Sequence, residues 1–434
     1  MMDHQAPEGI DLLLSTAGGA RAIARCDFLG RWPYSDHKSG LFRPFLGQGF
    51  EASATRILEW MREAGMEAAF DPACNIIGRY EGLSPDAPAF MIGSHIDSVR
   101  DAGHHDGMLG VMLGIELVDT FHKAGRRFPF ALEVMGFGDE EGSRFPTYML
   151  GSRALAGLLP PHALNARDPD GMSIAEALAE WDVDPNHFAT ARRAPETLIG
   201  YLEPHIEQAP YLYEQDLPLA VVSSIAAQSR FYVTLTGQAA HAGSAMKTRR
   251  DALSAAAEMM LAIERTAQAG PDDLVATCGA FTTDTGPATN IVAGEVTFSI
   301  DLRAAHRETR DSVAVTLLDA LQSIADRRHI TMEFEERHNL PGATCDPTLS
   351  YILAESGRDV TGAPLPFLVS QAGHDGMNVA AIAPISMVFI RCEKGISHNP
   401  AEAVRAGDVA LALETMRRFI ERLELFNDGK FEFK

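Results

Sequence analysis

His95 and Asp97 stand two residues apart in GSHIDS, at the end of the strand-like run Ala89–Ile92. Alternation along a strand puts both side chains on one side. There the imidazole can ligate a cation while the carboxylate holds its other ring nitrogen; taken alone, such a pair is far more often a surface or helix-capping feature. Asp106 lies in AGHHDG, just before a helical stretch at 107–121. By position it is an N-cap, and its two oxygens could also bridge two cations about 3.5–4 Å apart. Glu140 and Glu141 close a second strand in GDEEGSRF. Adjacent carboxylates in a strand-end turn diverge, so one can ligate while its neighbour accepts the proton of an attacking water; a solvated acidic turn is the plain alternative. His205 in EPHIEQAP, beside Gln208, and His398 in GISHNPAE would each pass singly for a buried, hydrogen-bonded histidine. His241, Asn290 and Arg303 fall in a later segment, where the Arg303 fork in DLRA could grip a carboxylate or bridge to Asp301. In chain order the His, Asp and Glu residues form an imidazole–carboxylate set suited to Mn²⁺ or Zn²⁺, with no thiolate required.

Elements that could position these residues are legible in the periodicity. Apolar residues at Ala54, Ile57, Leu58 and Met61 predict a helix over 47–66, and those at Met108, Val111, Met112, Ile115 and Val118 predict a second. Phe130–Phe137 reads as a strand running into the acidic turn. Strand, helix, strand with polar clusters at strand ends points to an α/β sheet that carries its site on the carboxyl edge. From about residue 226 the pattern changes. Strands at Arg230–Thr236, Leu274–Phe281, Glu295–Leu302 and Thr331–Glu335, with helices at Arg249–Ala267 and Arg307–Arg328, follow a ferredoxin-like βαββαβ order. The chain therefore reads as a discontinuous domain, 1–225 with 340–434, split around an insert at 226–339.

Composition narrows the function class. The 434 residues carry a formal net charge of −22, which disfavours a nucleic-acid backbone as partner. No stretch approaches the roughly 20 apolar residues that span a bilayer, and the N-terminus lacks the basic region of a signal peptide. Five scattered cysteines, with no CxxC, argue against a disulfide framework and for a reducing, cytoplasmic setting.

Together GSHIDSV, the DG of AGHHDG, DEEGSRF, EPHIEQ, the HAG around His241, the Asn of TNIV, DLR, and AGHDG through GISHNPAE resemble the M20 metallopeptidase superfamily. The likeness is to its amidase (hydantoinase/carbamoylase) branch and covers about residues 20–425. It implies an α/β fold: a mixed-sheet di-metal hydrolase domain with an inserted ferredoxin-like lid and dimerisation domain. It implies two divalent cations on His95, Asp106 (bridging), Glu141, His205 and His398, with Asp97 behind His95 and Glu140 as general base. His205 stands where true peptidases carry a carboxylate. The resemblance further implies that His241 reaches the partner subunit's site of a homodimer to stabilise an oxyanion, and that Gln208, Asn290 and Arg303 bind the ureido and carboxylate groups of a small substrate. The spelling, with AAQSR before the lid strand, is most similar to allantoate amidohydrolases. N-carbamoyl-L-amino-acid hydrolysis is the alternative, ureidoglycolate or β-ureidopropionate hydrolysis stands third, and a silent binding protein on the same scaffold is the remote case. Three departures bear on substrate choice: AGHH before the bridging aspartate, HAGSAMK without its usual proline, and Gln371 where a small residue is common.

Overall fold

A computed structural model describes residues 18–286 and 288–425. The N-terminal stretch, for which no signal peptide is expected, lies outside them. Two compact units are present: Met1–Ser223 with Cys345–Leu368 and His374–Lys434, and Ser224–Thr344 with Val369–Gly373.

The first unit is built on a mixed sheet in the order Glu67–Phe70, Ile76–Tyr80, Ala131–Phe137, Ala89–His95, Leu198–Ile206, Ile385–Ile390 and Leu219–Ile225, the last strand crossing into the second unit. The central four strands run parallel and their neighbours antiparallel. Every residue of AFMIGSH and ALEVMGF is buried, as continuous apolar strands covered on both faces should be. The helix Met108–Lys123 buries thirteen of its sixteen residues. Two of these are acids, and both are paired: Glu116 meets Arg21 at 2.7 Å and Arg25 at 3.0 Å, while Asp119 meets Lys123 at 2.8 Å. Because the central strands are parallel, their carboxyl ends share one edge. That edge receives His95, the turn after Phe137, and His205 near the end of its strand.

In the second unit Ala227–Thr236 lies between Glu295–Ala304 and Thr331–Leu340, antiparallel to both. Val275–Thr277 and Phe281–Thr283 pair with the outer side of Glu295–Ala304. Helices Ala252–Gln268 and Arg307–Arg327 cover one sheet face, where Phe231, Val233, Met259, Phe298, Leu317 and Leu321 form the core. A single strand was expected over Leu274–Phe281. Instead the ladder breaks at Cys278–Ala280, where the Ser299 hydroxyl accepts the Ala280 N–H at 2.9 Å. Among the described residues all five cysteines are free, and no helix is long and apolar enough to cross a membrane.

Candidate metal centre

His95 is the last residue of its strand and is buried. Its Nδ1 lies 3.1 Å from the backbone carbonyl of Asp97 and 3.7 Å from the Asp97 carboxylate. The carbonyl thus orients the ring where a carboxylate was expected, and an Nδ1–H donated to it leaves the Nε2 lone pair facing the site. The Asp97 oxygens accept the backbone N–H groups of Glu140 and Glu141, each at 3.1 Å. Asp97 therefore sets the acidic turn in place. Burial raises its pKa to about 6, the His95 imidazole opposing that rise.

Asp106 does not cap the helix that follows; Gly107 holds the N-cap position with φ 63°. Released from capping, the buried carboxylate divides its oxygens. Oδ1 lies 3.2 Å from His205 Nε2 and 3.7 Å from His95 Nε2. Oδ2 lies 3.1 Å from His398 Nε2 and accepts from Gln208 Nε2 at 2.8 Å and Ser397 Oγ at 2.6 Å. Glu141 completes the second side, 3.3 Å from His398 Nε2. Glu140 stands at the first side, its Oε2 4.0 Å from His95 Nε2. Burial pushes its pKa well above the usual range, with Glu141 adding to the effect and His95 opposing it. His205 turns Nδ1 toward the Ile206 carbonyl at 2.9 Å, so its Nε2 also points at Asp106.

The ligand atoms of three groups lie within 4.8 Å of one another: His95, Asp106 and His205; His95, Glu140 and Glu141; and Asp106, Glu141 and His398. Two of the buried atoms, Asp106 Oδ1 and His205 Nε2, make no hydrogen bond among the described residues. Orphaned polar atoms are costly in a protein interior, and a cation between them would satisfy both. The donor set of imidazole and carboxylate fits Mn²⁺ or Zn²⁺. Without a cation the cluster holds protons. His398 rises to about 11 beside Asp106 and Glu141. Burial opposes the charge on His95, yet Asp106 and the neighbouring acids raise it well above 6.5. Asp106 falls well below its usual value despite burial, held there by His398 and His95. Left-handed backbone at Asp139, Gln208 and His398, with φ of 62°, 57° and 53°, borders the cluster, consistent with strain concentrating at functional sites.

Gly107 is required by close approach as well as by φ, because a Cβ there would sit 2.4 Å from the His95 ring. Gly107→Ala is expected to displace the imidazole and weaken metal binding by about 10–100-fold, the range seen when a ligand loses its orientation. Calorimetric titration with Mn²⁺ measures this; unaltered affinity would show that His95 does not set it.

Sequence reasoning passed over Ser397 and Glu402, although both lie in the GISHNPAE motif. Glu402 accepts the N–H of His105 at 2.7 Å and of Asp106 at 3.2 Å, and Ser397 lies 3.1 Å from its other oxygen. A carboxylate four residues after a candidate ligand was the available signal.

His241, Asn290 and Arg303 belong to the second unit. Two-residue strands pair His241 with Ile291, and the Ala242 N–H meets the Asn290 carbonyl at 2.8 Å, so these two candidates are neighbours. Arg303 bridges to Asp301 at 2.7 and 2.9 Å, the structural alternative raised for it above.

Residues 91–422 match the family described as Peptidase family M20/M25/M40. The chain belongs to that family. Among M20 relatives, an N-carbamoyl-L-amino acid amidohydrolase of Geobacillus stearothermophilus is 39% identical over 85% of this chain and 89% of its own length. Allantoate deiminase 1 of Glycine max is 34% identical over 93% of this chain and 89% of its own. A crystal structure of a hydantoinase/carbamoylase family amidase from Burkholderia multivorans superposes with a TM-score of 0.84 at 29% identity, covering 94% of this chain and 98% of that one. The chain is accordingly an M20 enzyme of mixed α/β fold whose relatives are amidohydrolases acting on C–N bonds.

Proposed function

We propose that this enzyme hydrolyses the terminal C–N bond of a linear ureido acid, with allantoate as substrate: water adds to the ureido carbonyl, ammonia departs, and the carbamate left behind loses carbon dioxide to give ureidoglycine. The observation that carries the hydrolytic reading is Asp106, whose two oxygens face different imidazoles, as a bridge between two cations requires. Likeness to an allantoate deiminase over 93% of the chain supports the substrate.

Two divalent cations, Mn²⁺ or Zn²⁺, would be held by His95, Asp106 and His205 on one side and by Asp106, Glu141 and His398 on the other. When bound, they supply an acidified water and a polarised carbonyl. Glu140 takes the proton of the attacking water and passes it to the departing nitrogen. Its burial raises its pKa, which strengthens it as a base and keeps the proton available for the leaving group. Asp97 keeps the Glu140–Glu141 turn in register. Gln208, Asn290 and Arg303 orient the ureido and carboxylate groups, and His241 of a partner subunit donates to the developing oxyanion. On this reading the second unit is a ferredoxin-like lid and dimerisation domain inserted at 226–339 into a catalytic domain of 1–225 and 340–434, and the enzyme is a cytoplasmic homodimer.

N-carbamoyl-L-amino acids are the second reading, favoured by the relative at 39% identity. The mechanism is the same and the retained product becomes an amino acid. Ammonia release by Mn²⁺-loaded enzyme from allantoate and from a panel of N-carbamoyl-L-amino acids separates the two. Turnover of allantoate alone is expected; preference for the carbamoyl amino acids replaces the substrate, and silence on both with metal bound removes the ureido reading.

A further inference from the structure

The turn that follows His398 is closed by its own residues. Asn399 accepts the Ala401 N–H on its side-chain oxygen at 2.9 Å, the two-residue reach common for asparagine in turns. Its carbonyl takes the Glu402 N–H at 3.0 Å, and the Ala403 carbonyl takes the Glu393 N–H at 2.8 Å. From this anchored backbone the Glu402 side chain runs inward and is fully buried. Among the described residues no lysine or arginine pairs with it, and His105 Nδ1 lies 3.6 Å away.

A buried carboxylate needs hydrogen bonds to offset its lost hydration. Glu402 has three such contacts, and they converge on Asp106. Oε1 accepts the N–H of His105 at 2.7 Å and of Asp106 at 3.2 Å. Oε2 lies 3.1 Å from Ser397 Oγ, whose own shorter contact, 2.6 Å, goes to Asp106 Oδ2. One side chain thus fixes the backbone of Asp106 and stands behind the hydroxyl that holds one of its oxygens. The approach is close: a Cβ on Gly103 would sit 2.3 Å from Glu402 Cδ. The glycine that opens GHHD is what admits the carboxylate.

We propose that Glu402 is a positioning residue, which aims the two oxygens of Asp106 at the two sides of the metal cluster. It belongs to none of the three groups of candidate ligands and acts through Asp106 and Ser397. This rests on the two-cation reading above and adds to it a residue 297 positions from His105 in the chain.

The test is calorimetric titration of wild type, Glu402→Ala, Glu402→Gln and Ser397→Ala with Mn²⁺, together with the absorption spectra of their Co²⁺ forms. Glu402→Ala is expected to weaken Mn²⁺ binding by about 10–100-fold, the range lost with a ligand's orienting partner, and to shift the Co²⁺ bands. Glutamine can accept both backbone N–H groups on its carbonyl oxygen and turn its amide toward Ser397, so Glu402→Gln should restore affinity and spectrum to near wild type. Ser397→Ala should cost less than Glu402→Ala, because both backbone contacts remain. Should Glu402→Ala not fold, Glu402→Asp, whose carboxylate is withdrawn by one carbon, is read in its place. Wild-type affinity and spectrum in Glu402→Ala, or a loss in Glu402→Gln equal to that in Glu402→Ala, overturns the proposal. If wild type takes up no Mn²⁺, the two-cation reading has failed. Crystal structures of the metal-free wild type and Glu402→Ala then decide separately: a displaced Asp106 carboxylate supports the positioning role, and an unmoved one overturns it.

Discussion

Glu140→Gln is expected to retain its metal while ammonia release falls by about 10²–10⁴-fold, the range lost with a general base. Glutamine keeps the shape of the side chain and one hydrogen-bonding carbonyl oxygen, but its amide cannot accept a proton from water. The Asp97 contacts that hold the turn run to the backbone N–H groups of Glu140 and Glu141, so the substitution leaves them intact. Glu140 also lies outside the two triads assigned to the cations, although its carboxylate approaches His95 and Glu141. Metal content by elemental analysis and kcat on the same preparation form the measurement. A variant that binds metal and turns over within tenfold of wild type would remove Glu140 from the role of base.

Asp106→Asn should have an equally large effect by the opposite route. One amide oxygen cannot serve both sides of the cluster, and the amide nitrogen would face an imidazole Nε2 as a donor. Metal content is expected to fall to one ion or none, with affinity for the remaining ion reduced by more than about a hundredfold, beyond what loss of an orienting partner costs. Proton release provides a second readout. In the metal-free protein His398 titrates at about 11 and His95 well above 6.5, so both carry protons at pH 7 and must lose them to ligate a cation. Metal uptake by wild type should therefore liberate protons, and affinity should rise with pH, as calorimetry in buffers of different ionisation enthalpy would detect. For the same reason the His398–Asp106 contact stabilises the metal-free fold fully below 6.5, and that contribution is lost as pH rises through about 11. Metal uptake by wild type without proton release would contradict the protonated cluster.

Much of the first unit is visible in the sequence because its signals are local. AFMIGSH and ALEVMGF are apolar over consecutive residues, the pattern of strands covered on both faces, and the acids and histidines follow them directly. The break in the strand expected at Leu274–Phe281 was not visible, because it depends on Ser299, a side chain about twenty residues away that takes a ladder hydrogen bond. Asp106 also read ambiguously. Aspartate before a helix is normally a cap, and only the left-handed Gly107 frees its carboxylate to turn inward.

Residue types and their order thus determined the class of chemistry, since imidazoles and carboxylates at strand ends favour a divalent cation wherever the strands are parallel and their ends coincide. The sequence could not decide which oxygen of Asp106 meets which imidazole, that the Asp97 carbonyl takes the His95 Nδ1, or that the Asp97 carboxylate takes the backbone N–H groups of Glu140 and Glu141. Those are matters of ångströms and angles between residues far apart in the chain. Strand register and packing set them, and only the folded structure holds them together.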